Sequence, residues 1–209
     1  MSTKESVAID IGGSTVRDRI LDAADVLLGR YGYKKMTMDD IARVAGIGKA
    51  TIYLHFEGKQ QVVLQRLDRL VDRLLLQLST VAQQQDTTAA ERFRSMLIER
   101  VLIRVDAVQH YSDSISDLLA DLRDIFLKRR EEYFQREMDL FEALIRQGQH
   151  SGEFTDTSAR SLARAAVVAT NSLLPYSLTA QELGNRTQIK KQVSDIADLL
   201  LFGMKKHHK

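Results

Sequence analysis

Lys49, Thr51, Tyr53 and His55 bring an ammonium, a hydroxyl, a phenol and an imidazole within two helical turns of one another, and Lys59 follows soon after. Each can donate a hydrogen bond to a phosphate oxygen. Ala50, among them, is small enough to let the backbone approach base edges. Leu54 can offer only apolar contact, for instance to a thymine methyl. Such a face suits a DNA groove, provided that something grips the helix from behind. Ile52 and Phe56, spaced i and i+4, are the residues able to do so.

The stretch from Thr37 to Lys59 supplies the elements that would position this face. Thr37 can cap a helix, with Asp40 three residues on at capping-box spacing. Ile41, Val44 and Ala45 then mark one helical face. Gly46 provides the left-handed residue that ends a helix without a Cβ clash. Ile47 anchors the turn, and Gly48 can serve as the N-cap of a second short helix, Lys49 to Phe56. Ala42 is small enough for that helix to cross close to the first, as a helix-turn-helix requires. An ordinary surface hairpin is the alternative. It does not account for caps, turn glycine, small packing residue and exposed donors occurring in register.

The run A-x-x-A-G-I-x-K-A-T-I-Y-L-H-F-x-x-K, beginning at Ala42, resembles the DNA-binding signature of TetR-family transcriptional regulators. With the preceding helix the resemblance covers about residues 15–62. Three positions depart from the usual pattern. Gly48 stands where Ser or Thr often caps the recognition helix, Ala50 replaces a frequent Gly, and Leu54 occupies a position that is often polar or aromatic. The resemblance implies phosphate contact by Lys59 and assigns Thr37, Gly48, Lys49, Ala50, Thr51, Tyr53, Leu54, His55 and Lys59 to the DNA interface. Lys49, Tyr53, His55 and Lys59 are expected mainly at the backbone, and Gly48, Ala50, Thr51 and Leu54 nearer the bases.

Composition is compatible but not decisive. The 209 residues carry a net charge of +2, and the segment from Arg30 to Lys59 is a modest basic patch, compatible with phosphate contacts. With no cysteine, disulfides, thiolate metal sites and cysteine nucleophiles are excluded. There is no secretory pattern at the N-terminus, and the most apolar run, Ala165 to Leu174, is too short to span a bilayer. A cytoplasmic protein without cofactor or metal is expected. One distracting motif, Val7 to Thr15, resembles the first phosphate-binding turn of actin-like sugar kinases, but the strands that must flank such a turn are missing from the pattern. No Glu-x-x-His pair, serine elbow or Walker loop supports an enzyme.

Taken in order, residues 1–14 form an arm. Helix 1 starts at Thr15, with Asp18 as capping partner, Ile20, Ala24, Leu27 and Tyr31 inward, and Gly32 closing it. Arg17 and Arg19 read chiefly as solvated, with phosphate contact as the alternative. Helix 4 runs to about Ser79, and the polar Gln83 to Thr88 segment marks a break. Helical patterning resumes at Ala89. A short helix over Ser112 to Ala120 is expected, then a long one from Asp121 to Gln149. Gly148 to Phe154 reads as a turn, capped by Asp156 or Thr157, before a helix from Ser158 to Leu174 that Pro175 stops. The last helix spans Thr187 to Phe202, with a stripe of Ile189, Val193, Ile196 and Leu200.

The fold class expected is all-α: a helix-turn-helix DNA-binding domain at 15–62, then a larger helical effector-binding and dimerisation domain at 63–209. The resemblance implies a homodimer formed through the last two helices. The stripe on the last helix and Ala159, Ala163, Ala166 and Ala169 are compatible with that; packing within one subunit is the alternative. It also implies a small hydrophobic or aromatic effector, for which Arg100, Arg104, His110, Tyr111, Phe126 and Asn171 are the candidate liners. The function expected is a ligand-responsive repressor on a two-fold symmetric operator. A helical interaction module or an activator without small-molecule induction are the alternatives.

Overall fold

The computed structural model describes residues 15–108, 112–178 and 180–205. These form helices α1 (Val16–Lys35), α2 (Met38–Val44), α3 (Lys49–His55), α4 (Lys59–Ala82), α5 (Ala89–Val108), α6 (Ser112–His150), α7 (Ala159–Ala169), α8 (Ala180–Leu183) and α9 (Arg186–Met204). Short 3-10 turns at Asn171–Leu173 and Pro175–Ser177 join α7 to α8. Among the described residues the only β pairing is an isolated bridge between Phe154 and Lys205. The kinase-like motif and the arm fall largely outside the described residues.

The chain divides into two compact units, residues 1–68 and 69–209, and the division lies inside α4. It lies a few residues beyond the 62/63 boundary expected from the motif, and well before the polar break.

In the first unit, Thr15 and Asp18 form a reciprocal capping box at the start of α1. Gly32, at φ 71°, breaks the helical run, and a further turn carries the chain to Lys35. Ile20, Ala24, Leu28, Met36, Ile41, Ile52 and Phe56 are almost fully buried and make the core that α1, α2 and α3 share. Tyr31, expected inward, is exposed instead.

In the second unit, α6 packs on α5 and α7, and α5 packs on α9. Phe93 and Phe141 meet edge to face in the core, 5.6 Å apart. The structure corrects four boundaries here. The expected short helix over 112–120 and the long one after it are a single helix, because no Gly or Pro interrupts the chain between Ser112 and Gln147. Gly148 lies in the last turn of α6, and the reversal follows through Gly152 at φ 80°. Ser158, not Asp156 or Thr157, caps α7 by accepting from the Ser161 amide. Finally, α7 ends at Ala169 rather than Leu174. Pro175 forces only Leu174 into an extended conformation. The helix stops earlier because Thr170 and Asn171 turn toward Arg100.

The stripe on the last helix is also displaced. The buried positions of α9 are Ile189, Val193, Ala197, Leu201 and Met204, whereas Ile196 and Leu200 are half-buried. On α7, Ala159, Ala163 and Ala166 are buried against the same core and only Ala169 of the small-residue series is exposed. Both stripes therefore serve mostly the interior of one subunit. The exposed apolar side chains are different ones: Val168 at 58%, Leu199 at 73% and Phe202 at 70%.

Candidate functional site

The recognition face is held from two sides. On the core side, Ile52 and Phe56 are buried, and the Phe56 amide donates to the Ile52 carbonyl at 3.0 Å. At the approach, Gly46 takes φ 65° in the turn, and Gly48 caps α3 in an extended conformation without a side-chain hydrogen bond. A serine there would add a cap worth a few tenths of a kcal/mol over glycine. On the outer side, Lys49, Ala50, Tyr53 and Leu54 are exposed, Leu54 to 83%, while Thr51 and His55 are half-buried. The four exposed residues thus share one open helical surface.

Several side chains have partners that spacing does not reveal. Lys49 Nζ donates to Asp39 Oδ2 at 2.8 Å, which raises its pKa. A phosphate must displace that carboxylate to claim the ammonium. The Thr37 hydroxyl accepts from the Asp40 amide and donates to the Asp40 carboxylate at 2.6 Å, so it is committed to capping α2. That hydrogen bond, with the Arg43 guanidinium adding to it, holds the Asp40 carboxyl below its ordinary range. Arg19 is half-buried and tied to the backbone. Its guanidinium donates to the carbonyls of Ala45 and Gly46 and closes the C-terminal end of α2. Arg17 donates to Gln65 and lies over the Phe56 ring.

Lys59 is placed most unlike the expectation. Its ammonium donates to the carbonyls of Tyr33, Lys34 and Met36 at 3.0, 3.3 and 3.2 Å and sits over the Tyr33 ring. A lysine has three N–H donors, and three carbonyls occupy them. Lys59→Met is therefore expected to lower the thermal midpoint, by an amount corresponding to about 1.5–3 kcal/mol. Lys49→Ala should leave the midpoint unchanged and act only on DNA affinity. Differential scanning calorimetry beside a DNA titration separates the two effects.

The candidate effector residues converge only in part. Arg100 is fully buried and donates to Glu137 at 2.5 Å, to the Thr170 hydroxyl at 2.7 Å and to Asn171 Oδ1 at 2.9 Å. Arg104, one turn along α5, binds the other Glu137 oxygen at 2.5 Å and the Arg100 carbonyl at 3.0 Å. The Phe126 ring stacks obliquely on Tyr176 at 5.7 Å. His110 and Tyr111 lie outside the described residues. Glu137, Thr170 and Tyr176 escaped the sequence reading. Glu137 left a signal: it completes the apolar series Tyr133, Phe134, Met138, Phe141, Leu144 and Ile145, a lone carboxylate where periodicity demands a core residue. Burial alone would raise its pKa, but the two guanidiniums outweigh burial and hold it ionised below the usual carboxylate range.

The family described as bacterial regulatory proteins, tetR family, matches residues 20–65, the segment that forms this helix-turn-helix. Beyond it, the chain is 30% identical over 140 residues to the HTH-type transcriptional repressor KstR2 of Rhodococcus jostii (strain RHA1), covering 66% of this chain and 69% of that protein. The chain belongs to the TetR family. Solved structures agree in fold. A transcriptional regulator from Cytophaga hutchinsonii superposes with a TM-score of 0.73 at 19% identity, over 90% of this chain and 98% of the other. The SmeT–triclosan complex does so with 0.68 at 20% identity, over 92% and 93%. This TetR-family protein is thus a DNA-binding transcriptional regulator and not an enzyme, and the exposed face of α3 is where its helix-turn-helix meets solvent. No helix among its described residues is long and apolar enough to cross a membrane.

Proposed function

We propose that the protein is a ligand-responsive repressor. As a homodimer it binds a two-fold symmetric operator through α3, and a small molecule bound in the second unit releases it. The observation that carries this reading is the open face of α3, with Lys49, Ala50, Tyr53 and Leu54 exposed on a helix that Ile52 and Phe56 fix from behind. Lys49, Tyr53 and His55 serve the phosphates, while Gly48, Ala50, Thr51 and Leu54 approach the base edges. Thr37 caps the start of α2 and Lys59 holds the C-terminal end of α1, so both contribute by positioning. Repression is supported by the relative KstR2, which is named as a repressor.

One helix-turn-helix grips only a short half-site, so recognition needs two heads, reading half-sites about 34 Å apart on one face of the duplex. The exposed Val168 on α7 and Leu199 and Phe202 on α9 support a dimer through those helices. The SmeT structure of the same fold is a complex with triclosan, which supports an effector site in the larger unit. Release then requires an effector that binds better to a state in which α4 is displaced and the heads no longer fit the operator.

Selection of bound sequences from a random DNA pool, at physiological salt, tests this reading. The expected product is a motif with two-fold symmetry whose affinity falls steeply with salt. An enriched motif without symmetry removes the dimer. No enrichment at all removes operator recognition.

A further inference from the structure

A helix that meets DNA usually brings several cations, and α3 brings few. Its residues, Lys49–His55, include one lysine and no arginine. Among the described residues, Lys49 is the only fixed positive charge on the face that also exposes Ala50, Tyr53 and Leu54. Sequence-independent binding to a duplex comes essentially from cations that replace the counterions condensed on its phosphates. The state of Lys49 before DNA arrives therefore bears directly on how tightly the helix-turn-helix grips any sequence.

That ammonium is already taken. Lys49 Nζ donates at 2.8 Å to Asp39 Oδ2, on the first turn of α2. Both side chains are open to solvent, Lys49 at 66% and Asp39 at 58%. Other cations of the first unit are tied differently. Arg19 and Lys59 are half-buried and hold backbone carbonyls at helix ends. Arg43 pairs with Asp40, a carboxylate that also bonds the Thr37 hydroxyl in the cap of α2. Asp39 has no part in that cap, which Thr37 and Asp40 make between them. An exposed pair such as Lys49–Asp39 adds little to stability. Its consequence lies in binding. A phosphate that claims Lys49 must break the pair and leave the Asp39 carboxylate uncompensated beside a polyanion.

We infer that Asp39 is an affinity-limiting residue of the DNA interface: it neutralises Lys49 in the free protein, competes with phosphate for the ammonium, and so holds down binding to DNA of any sequence. The inference rests on the reading of α3 as the DNA-facing helix and deepens it. The competition carries no sequence information, because phosphates are alike whatever base they bear. It leaves discrimination between sequences to the groups nearer the bases, Ala50, Thr51 and Leu54. It also has a signature in salt. Once separated from Lys49, Asp39 gathers a cation of its own, which subtracts from the counterions that binding releases.

The test measures binding of the full-length protein to the selected operator and to a mixed-sequence duplex, by fluorescence anisotropy between about 50 and 200 mM salt. Asp39→Asn keeps the size of the side chain and removes its charge. It is expected to bind both duplexes about three- to fivefold more tightly at the lower salt, the scale of one exposed ion pair. Its plot of log affinity against log salt should be steeper by up to about 0.9, the share of one phosphate contact. In a Lys49→Ala background the same substitution should gain less than about twofold, since no ammonium remains to be released. Unchanged or weaker binding by Asp39→Asn, with Lys49→Ala still impaired, overturns the inference and leaves the reading of α3 standing. An equal gain in both backgrounds overturns it too, because Asp39 would then repel phosphates directly. A gain or loss confined to the operator does the same, by making Asp39 or Lys49 a reader of bases. Lys49→Ala binding both duplexes like the parent removes the reading of α3 itself, and the inference with it.

Discussion

Glu137→Ala is expected to destabilise the second unit by about 3–5 kcal/mol, the cost of breaking a buried ion pair by removing one partner. The residue has no exposed surface, and its two oxygens satisfy Arg100 and Arg104. Truncation would leave two guanidiniums in a dry environment with no carboxylate. The loss should appear as a lower urea midpoint followed by far-ultraviolet circular dichroism. A second substitution discriminates between lost packing and lost charge. Adding Arg100→Met to Glu137→Leu should recover a large part of the deficit, because apolar replacements of buried ion pairs are often neutral or better. Failure to recover would mean that the geometry of the pair, rather than its charge balance, holds α5 to α6.

The same residue predicts a pH dependence. Burial opposes ionisation of Glu137, but Arg104 and Arg100 outweigh it, so the folded pKa lies below the ordinary 4.5. A carboxyl shifted downward contributes stability that is fully present above its unfolded pKa. That contribution disappears as the pH falls through the folded value. Urea midpoints of the parent protein should therefore fall on acidification below about pH 4.5, and more steeply than those of Glu137→Gln. Parallel slopes would mean that other carboxylates govern the acid limb.

Gly148→Ala is the second large effect, and its sign depends on a neighbour. A Cβ at this position in the last turn of α6 would overlap the ring of Phe154 and come within 3.0 Å of Ala89 Cβ. Phe154 is fully buried and its amide donates back to the Gly148 carbonyl at 3.1 Å, so the ring has no room to withdraw. Overpacking of this kind costs about 1–3 kcal/mol. Phe154→Ala alone should cost about 3–5 kcal/mol through its cavity. In that background the ring overlap is gone and only the 3.0 Å approach to Ala89 Cβ remains, while alanine is favoured over glycine in a helix by about 1 kcal/mol. The double variant is thus expected to be no less stable than Phe154→Ala alone. A simple sum of the two losses would show that Gly148 is required for its backbone and not for the space it leaves.

The local parts of the fold were legible from the residues alone. The Thr15–Asp18 and Thr37–Asp40 caps, the Gly46 turn and the inward pair Ile52 and Phe56 involve partners three or four residues apart. Chemistry and helical pitch determine such contacts before any packing occurs. The open surface of α3 followed from the same periodicity, whereas the family followed from the resemblance of the motif between Ala42 and Lys59. Periodicity was weaker on α9, where Ile196 and Ala197, or Leu200 and Leu201, are equally apolar neighbours and only the position of α5 chooses between them.

Longer-range partners were beyond the reach of pattern. Lys59 finds three carbonyls more than twenty residues earlier in the chain, Arg19 closes a helix at Ala45 and Gly46, and Arg100 reaches Glu137 on another helix and Thr170 at the end of a third. A cationic side chain in a sequence reads equally well as solvated, phosphate-bound or buried, because its charge has no direction until the backbone gives it one. The sequence by itself determined an all-helical regulator with a helix-turn-helix and the face it presents. Tertiary structure decided which of its cations are committed to the fold and which stay at the surface. Burial makes an unpaired charge expensive, and only the packed helices determine which charges are buried together.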